Sequence, residues 1–396
     1  MSYTPDEPAL RSDVEALAAL VRDSAGSGER EAAAWANGRL TAAGAQDARL
    51  QTYRGRATNS WSFAAHGLAG LVALRVRGIA GFALAALAAI SLERDASGRA
   101  PWRRRVVGGG EGANAVARIP ARGAARCTAV VVAHIDAART GLAWSPRATA
   151  LGGARNLRTH SAPPVMALHA LGLALAALAA LMPARIAARR VLSVPAALLN
   201  GAATVLNLDI ARSPVVPGAN DNATGVAAAI DLARALAADP LEHVEVIVAL
   251  VGGEESGMGG FHALLEEDPP LDPARTFVLG LDTLGSGIPI LAEAEGAVAT
   301  HRYRPADLEI ADEGAALAGE PAPERWRIGA WTDPLLALNR GIPAVSLLSM
   351  GPDGHYTHYH HPTDLPEHVD FRSVAACARI AHGTLRALDR RSAPTA

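Results

Sequence analysis

Five short clusters, each beside an apolar stretch, carry the side chains that ligate divalent cations. They are Ala133-His134-Ile135-Asp136, Gly218-Ala219-Asn220-Asp221-Asn222, Gly253-Glu254-Glu255, Leu281-Asp282-Thr283 and Tyr359-His360-His361-Pro362-Thr363-Asp364. Imidazole and carboxylate without thiolate suit zinc, with cobalt or manganese as substitutes. Each cluster also has an ordinary reading. His134 with Asp136 can be a surface pair, Asp221 a helix cap, and His358, His360 and His361 an exposed loop. Their shared placement at the ends of apolar runs favours chemistry. Glu254 and Glu255 repel one another, yet they close a strongly apolar run directly after Gly252-Gly253. A cation that neutralises one leaves the other free as a proton acceptor. His134 and Asp136, two apart in an extended chain, share a face. Asp136 could therefore ligate, or accept the second ring N–H of His134. Asp221 and Asp282 lie beside apolar runs, where an unpaired charge is costly.

The elements that must position these groups alternate. Strands are predicted at Ala113 to Ile119, Cys127 to His134, Val244 to Val251, Thr276 to Leu281 and Ala344 to Ser349, each rich in Val, Ile and Leu without alternation, as in strands buried on both faces. Helices are predicted at Ala223 to Ala238, Gly259 to Glu267, Pro334 to Arg340 and Arg372 to Leu388. Ahead of them come helices at Ser12 to Arg22 and Glu29 to Ala43 and an alternating strand at Asp47 to Tyr53. The pattern predicts an α/β protein, a three-layer α/β/α sandwich around a central mixed sheet. Ligands of such sheets bind beyond the carboxyl ends of the strands, where His134, Glu254, Glu255 and Asp282 all fall. Ala292 to Ala330, expected to wall the pocket, shows no assignable element.

Composition removes several classes. All 37 basic residues are Arg and the formal net charge is −2. Without Lys there is no Schiff base, P-loop lysine or Ser-Lys dyad. No basic stripe with interleaved aromatics points to nucleic acid. Cys127 and Cys377 form no CxxC pair and are expected as two small core residues rather than a disulfide or a thiolate zinc site.

Two segments depart from a soluble enzyme. Trp61 to Leu92 is largely apolar around a break at Arg75-Val76-Arg77. Pro164 to Pro183 and Val191 to Leu208 carry no charge on either side of a break with Arg185, Arg189 and Arg190, until Asp209. Both have the pattern of helical hairpins, either crossing a bilayer or packed as an interfacial layer. The chain then divides into 1–60 (helices and first strand), 61–92 (hairpin), 93–162 (core), 163–208 (hairpin) and 209–396 (core). Membrane hairpins would return the chain to one side, as clusters flanking the second hairpin require. Arg54, Arg56, Arg94, Arg99, Arg103, Arg104, Arg105, Arg155, Arg158 and Arg212 flank the hairpins, which by the positive-inside rule places the catalytic side in the cytoplasm of a multi-pass protein. The acidic, polar start predicts no cleavable signal peptide.

Taken in order, the clusters resemble the M28 family of zinc peptidases, the co-catalytic aminopeptidase fold shared with glutamate carboxypeptidase-like and glutaminyl-cyclase-like proteins. The resemblance rests on Val132 to Asp136, Gly218 to Val226, Gly253-Glu254-Glu255-Ser256-Gly257, Leu281-Asp282 and Tyr359 to Asp364, with Thr332-Asp333 and Gly341-Ile342-Pro343-Ala344 before the last. It spans about residues 10 to 390 apart from the two apolar segments. It implies two zinc ions bridged by Asp221, with His134 and Asp282 completing one site and Glu255 and His360 the other. Glu254 would be the general base, Asp136 would orient His134, and Tyr359 would polarise the scissile carbonyl. The last motif departs from the family pattern, with His361 and Leu365 at positions usually threonine. The implied activity is removal of N-terminal residues from peptides with a free amine. A single-zinc glutaminyl-cyclase-like transferase, a carboxypeptidase-type hydrolase and a silent scaffold are the alternatives.

Overall fold

Residues 3–99, 109–145, 147, 151–183, 187–267 and 270–394 are described by a computed structural model; Arg103, Arg104, Arg105 and Arg185 lie outside them. At its centre β3 (Cys127–His134) runs parallel to β4 (Val244–Val251) on one side and β5 (Thr276–Leu281) on the other. All three are strongly apolar runs, and every residue of β5 is buried. Parallel neighbours end at the same sheet edge, so the segments after His134, Val251 and Leu281 emerge side by side.

Around this centre the sheet is mixed. β1 (Gln46–Gly55) and β2 (Gly110–Ile119) add antiparallel beyond β4. On the other side β9 (Ala344–Met350) is parallel to β5, and β6 (Ile288–Glu295) is antiparallel to β9. The short β7 (His301–Arg302) and β8 (Glu324–Ile328) both pair with β6. Helices α1 (Glu7–Ala18), α2 (Ser27–Ala42), α8 (Thr224–Ala238), α10 (Pro305–Ala318) and α12 (Phe371–Arg391) form one layer. The short α9 (Gly259–Leu265) and α11 (Pro334–Asn339) pack the opposite face. The predicted three-layer arrangement is the one found, and β3, β4 and β5 match their predicted bounds. Cys127 and Cys377 are free, the first half-buried and the second in the core.

Four apolar helices stand outside these layers. They are α3 (Ser60–Val76), α4 (Gly78–Ala96), α6 (Ala167–Leu181) and α7 (Ala187–Arg212), with the short α5 (Gly153–Thr159) between the two pairs. Each packs on at least two of the others. A bundle formed from the two chain-distant pairs was not foreseen from sequence. Small residues make its close contacts: a Cβ on Gly70 would lie 2.5 Å from the Asn200 side chain, and one on Gly172 2.9 Å from Leu199. Among the described helices one, Arg189–Arg212 with mean hydropathy 1.6, is long and apolar enough to cross a membrane, and Ala167–Leu181 is a shorter apolar helix.

Candidate metal centre

Asp221 sits after a left-handed Gly218 and just before α8, at the sheet edge where β3, β4 and β5 end. Its two oxygens face opposite ways. Oδ1 is 3.3 Å from His134 Nε2, and Oδ2 is 3.2 Å from His360 Nε2. His134 Nε2 is also 3.8 Å from Asp282 Oδ1, and His360 Nε2 is 3.5 Å from Glu255 Oε2. The result is two triads, His134-Asp221-Asp282 and Asp221-Glu255-His360, each with its ligand atoms within 4.8 Å of one another. Glu254 joins His134 and Glu255 in a third grouping of the same size. Asp221 Oδ2 and Glu255 Oε1 are buried yet accept no aligned hydrogen bond. A buried carboxylate oxygen without a donor is costly; both belong to residues of the Asp221-Glu255-His360 triad, where a divalent cation would satisfy them. The residues therefore fit metal binding.

Electrostatics point the same way. Burial, reinforced by Glu255, Asp333 and Asp282 and opposed by His134, pushes the Glu254 carboxyl well above its usual range. Burial likewise pushes Glu255 up to about 8 against the pull of His360. For Asp221 burial is outweighed by His134 and His360, which hold it below the ordinary carboxylate value. Both imidazoles are raised: burial opposes this, and the surrounding carboxylates prevail. The protein alone gathers more negative charge than its imidazoles can neutralise, and cations would relieve the excess.

The ligand-bearing segments are held by groups beneath them. Asp136 Oδ1 accepts the Glu254 N–H at 3.1 Å, and its Oδ2 accepts the Glu255 N–H at 3.2 Å and the Ser24 hydroxyl at 2.7 Å. His134 Nδ1 meets the Asp136 backbone carbonyl at 3.2 Å, with the carboxylate further away at 3.6 Å. Thus Asp136 touches His134 mainly through its backbone, and its carboxylate fixes the two glutamates. Asp364 accepts the N–H groups of Asn220 and Asp221 at 2.8 and 3.1 Å. Asn222 donates to the Leu281 carbonyl and accepts the Thr283 N–H, tying the Asp221 segment to that of Asp282.

Two residues that the sequence did not single out complete this support. The wholly buried Arg22 donates to the carbonyls of Ile135, Pro217 and Gly218 at 2.9, 2.7 and 2.7 Å. Burial lowers it to about 10, opposed by Asp136, Asp364, Asp221 and Glu255, so it stays charged at neutral pH. Glu29 accepts the N–H groups of Ala25, Ala113 and Gly253 and the Tyr53 hydroxyl. It thereby fixes the turn that delivers Glu254. An Arg and a Glu in N-terminal helical sequence carry no signal of such roles; only their burial does.

Of the three clustered histidines, His360 alone lies on the triads. His358 Nδ1 and His361 Nδ1 both meet the Thr363 hydroxyl, at 2.5 and 2.7 Å, and His358 stacks on His368. The Tyr359 ring stacks on His360 with centroids 3.9 Å apart. Trp144, also not anticipated, stands edge-on to Tyr359 at 5.5 Å and to His360 at 4.5 Å. Burial, with Asp221, Glu255, Glu254 and Asp282, raises the Tyr359 hydroxyl so that it remains a donor. A cavity of about 290 Å³ touches His134, Asp221, Glu254, Asp282 and Tyr359. Beside it a cleft of about 790 Å³ runs from Glu254, Glu255 and His360 to the base of the four-helix bundle.

Residues 202–385 match peptidase family M28, the family that the motifs resemble. That stretch holds Asp221, Glu254, Glu255, Asp282 and His360, while His134 and Asp136 precede it. Solved structures share the fold at low identity. A glutaminyl cyclase from Bacteroides thetaiotaomicron bound to N-acetylhistamine superposes with a TM-score of 0.56 at 13% identity, over 98% of this chain and 99% of that one. A zinc aminopeptidase from Bacillus subtilis gives 0.55 at 12% identity, over 96% and 94%. A leucine aminopeptidase precursor from Bacteroides thetaiotaomicron gives 0.54 at 13%, over 98% and 99%.

Proposed function

We propose that this M28-type chain is a zinc-dependent aminopeptidase that holds two metal ions and releases N-terminal residues from peptides with a free amine. The observation that carries the reading is the position of Asp221, one oxygen in each of two complete ligand triads, with Glu254 beside both. His134 and Asp282 would hold one ion, Glu255 and His360 the other, and Asp221 both. Cobalt or manganese could substitute. Bound there, the ions would polarise the scissile carbonyl and acidify the attacking water.

The chain's own groups do the rest. Glu254 belongs to neither Asp221 triad, so its carboxylate is free to take the proton of the attacking water and return it to the departing amine. Asp136 fixes Glu254 and Glu255 by their backbone N–H groups. Tyr359, protonated and stacked on His360, donates to the carbonyl oxygen as negative charge develops on it.

Metal analysis together with activity on matched free-amine and blocked-amine substrates tests the reading. Two zinc ions per chain and chelator-sensitive hydrolysis of the free-amine set alone are expected. One ion with cyclisation of N-terminal glutamine would replace the reading by the cyclase alternative. Hydrolysis of blocked-amine peptides ending in a free carboxylate would make the enzyme a carboxypeptidase. Fully loaded protein inactive on all of them would overturn it.

We infer further that this enzyme sits at a membrane through its four-helix bundle, with its catalytic layers on the cytoplasmic side. Its polarity is inverted relative to a water-soluble bundle. Large apolar side chains such as Leu68, Ile79, Leu87, Leu168, Val191 and Leu198 face outward, whereas Ala73, Ala85, Ala176 and the fully buried Asn200 fill its interior. Small residues and interhelical polar groups inside, with bulk apolar groups outside, is the distribution that hydrocarbon solvent selects. Arg212 covers the Trp61 ring at 4.9 Å at the base of the bundle, as at a membrane interface. The chain should sediment with membranes and resist extraction by salt; recovery as a monodisperse soluble species without detergent would count against the membrane seat.

A further inference from the structure

A short connection between β1 and α3 carries Arg56, which the positive-inside count places among the charges flanking the bundle. The folded chain does not leave it on the surface. Arg56 is 6% exposed, and the likewise buried Asp95, in the last turn of α4, clamps its guanidinium. Nη2 donates to Oδ1 at 2.9 Å and Nη1 to Oδ2 at 3.4 Å. Asp95 Oδ2 also accepts the hydroxyl of Ser62, in the first turn of α3, at 2.7 Å. Both helices of the first hairpin therefore anchor the guanidinium. Its Nη2 also reaches the Ser256 carbonyl at 3.5 Å, and a Cβ on Gly257, whose φ is +105°, would lie 3.3 Å from the same nitrogen.

Ser256 and Gly257 belong to the turn that presents Glu254 and Glu255. The N–H groups of Gly257 and Met258 close it on the Glu254 carbonyl at 2.8 and 3.0 Å, and Asp136 takes the N–H groups of the two glutamates. The end of α4 is docked beside this turn. His262 Nε2 donates to the Gly98 carbonyl at 2.8 Å, Asn339 Nδ2 donates to that of Ser97 at 2.9 Å, and a Cβ on Gly98 would lie 3.0 Å from Met258 Cε. A buried ion pair seldom adds net stability over an apolar pair of the same volume, because both charges lose their water. What the planar fork of an arginine adds is direction, since it fixes one acceptor relative to another.

We propose that Arg56 is a positioning residue for the active site: anchored by Asp95 and Ser62 of the bundle, it holds the Ser256 carbonyl and thereby sets where the carboxylates of Glu254 and Glu255 stand. The bundle is then part of the catalytic apparatus as well as a membrane seat. The proposal rests on the aminopeptidase reading for the chemistry of Glu254, whereas its effect on Glu255 is read through metal affinity.

The test compares the full-length protein in detergent with Arg56→Lys and with the double variant Arg56→Met/Asp95→Leu. Each is titrated with cobalt(II) against a chelator, followed by visible absorption, and assayed for hydrolysis of Ala-Ala-Ala. The double variant removes both buried charges together, so its melting temperature should stay close to that of the wild type. At that preserved stability the affinity for one of two cobalt ions, the one held by Glu255, should fall about tenfold or more, and kcat about tenfold or more with KM within about twofold. Arg56→Lys keeps a charge for Asp95 but cannot span both acceptors, and should show the same split in milder form. A purely structural ion pair would leave cobalt affinity and kcat at wild-type values in the stable double variant, and that result overturns the proposal. Should the double variant melt below the assay temperature, Arg56→Lys decides alone, and unchanged cobalt affinity and kcat again overturn it. A wild type that binds cobalt but hydrolyses no peptide sinks the aminopeptidase reading alone, because the cobalt titration still reports on Arg56.

Discussion

Glu254 and Asp221 lie in one cavity but make different demands, and substitution separates them. Glu254→Gln removes the proton acceptor while keeping size, and is expected to lower kcat by about 10³-fold or more with both metals still bound, read by turnover and metal analysis on one sample. Asp221→Asn instead should deplete both sites, because each triad loses a shared oxygen. Arg22→Met addresses the support rather than the chemistry. It strands three buried carbonyls, so a loss of about 2–4 kcal/mol in unfolding free energy is expected, with weaker metal retention, measured by denaturant titration and dialysis against a chelator. The residues brought together here were visible in sequence where a polar group ended an apolar run, as at His134, Glu254, Glu255 and Asp282. Arg22, Glu29 and Trp144 were not, since each acts through burial or a ring contact that the chain reveals only when folded. His360 was already chosen from the motif over His358 and His361, and in the fold Thr363 holds those two.

At the scale of elements, strands buried on both faces were the most legible, because continuous Val, Ile and Leu runs leave little choice of period. The stretch from Ala292 to Ala330 stayed unread. It contains the end of β6, the two-residue β7, α10 and the edge strand β8, whose Glu324, Trp326 and Arg325 mix charge with one buried ring. Pro305 at the first turn of α10 and Gly319 just past its end were available signals. The bundle helices carry their own test. Gly70→Leu would drive a side chain into Asn200 and should destabilise the bundle by about 1–3 kcal/mol or more, seen as a lower melting temperature in detergent and early protease cleavage near the bundle. Helix α12 supplies a pH effect. Burial, aided by Arg386 and opposed by Asp239, lowers His382 from 6.5 to about 4, and its ring stacks on Tyr3 at 4.6 Å. Between those pH values the unfolded chain takes up a proton that the folded one refuses, so stability rises with pH across the window. The melting temperature should fall as pH drops from 6.5 toward 4, and His382→Phe should reduce that fall.

Considered whole, the molecule joins a layered α/β body to a bundle whose halves come from distant parts of the chain. α3 and α4 interrupt the path from β1 to β2, and α6 and α7 interrupt the path from His134 to Asp221. The sequence suggested two apolar hairpins, but the packing of these four helices depends on Gly67, Gly70 and Gly172 closing around Asn200, contacts between positions that no local pattern links. This topology imposes an order on biogenesis. A ribosome that has released only the first hairpin leaves a half-bundle with its glycine face bare, and His134 is still waiting for its carboxylate partners. Arrival of α7 both completes the bundle and carries Asp221 back to the sheet. Metal uptake is thereby deferred until the bundle is complete, so a chain stalled midway is an inert one.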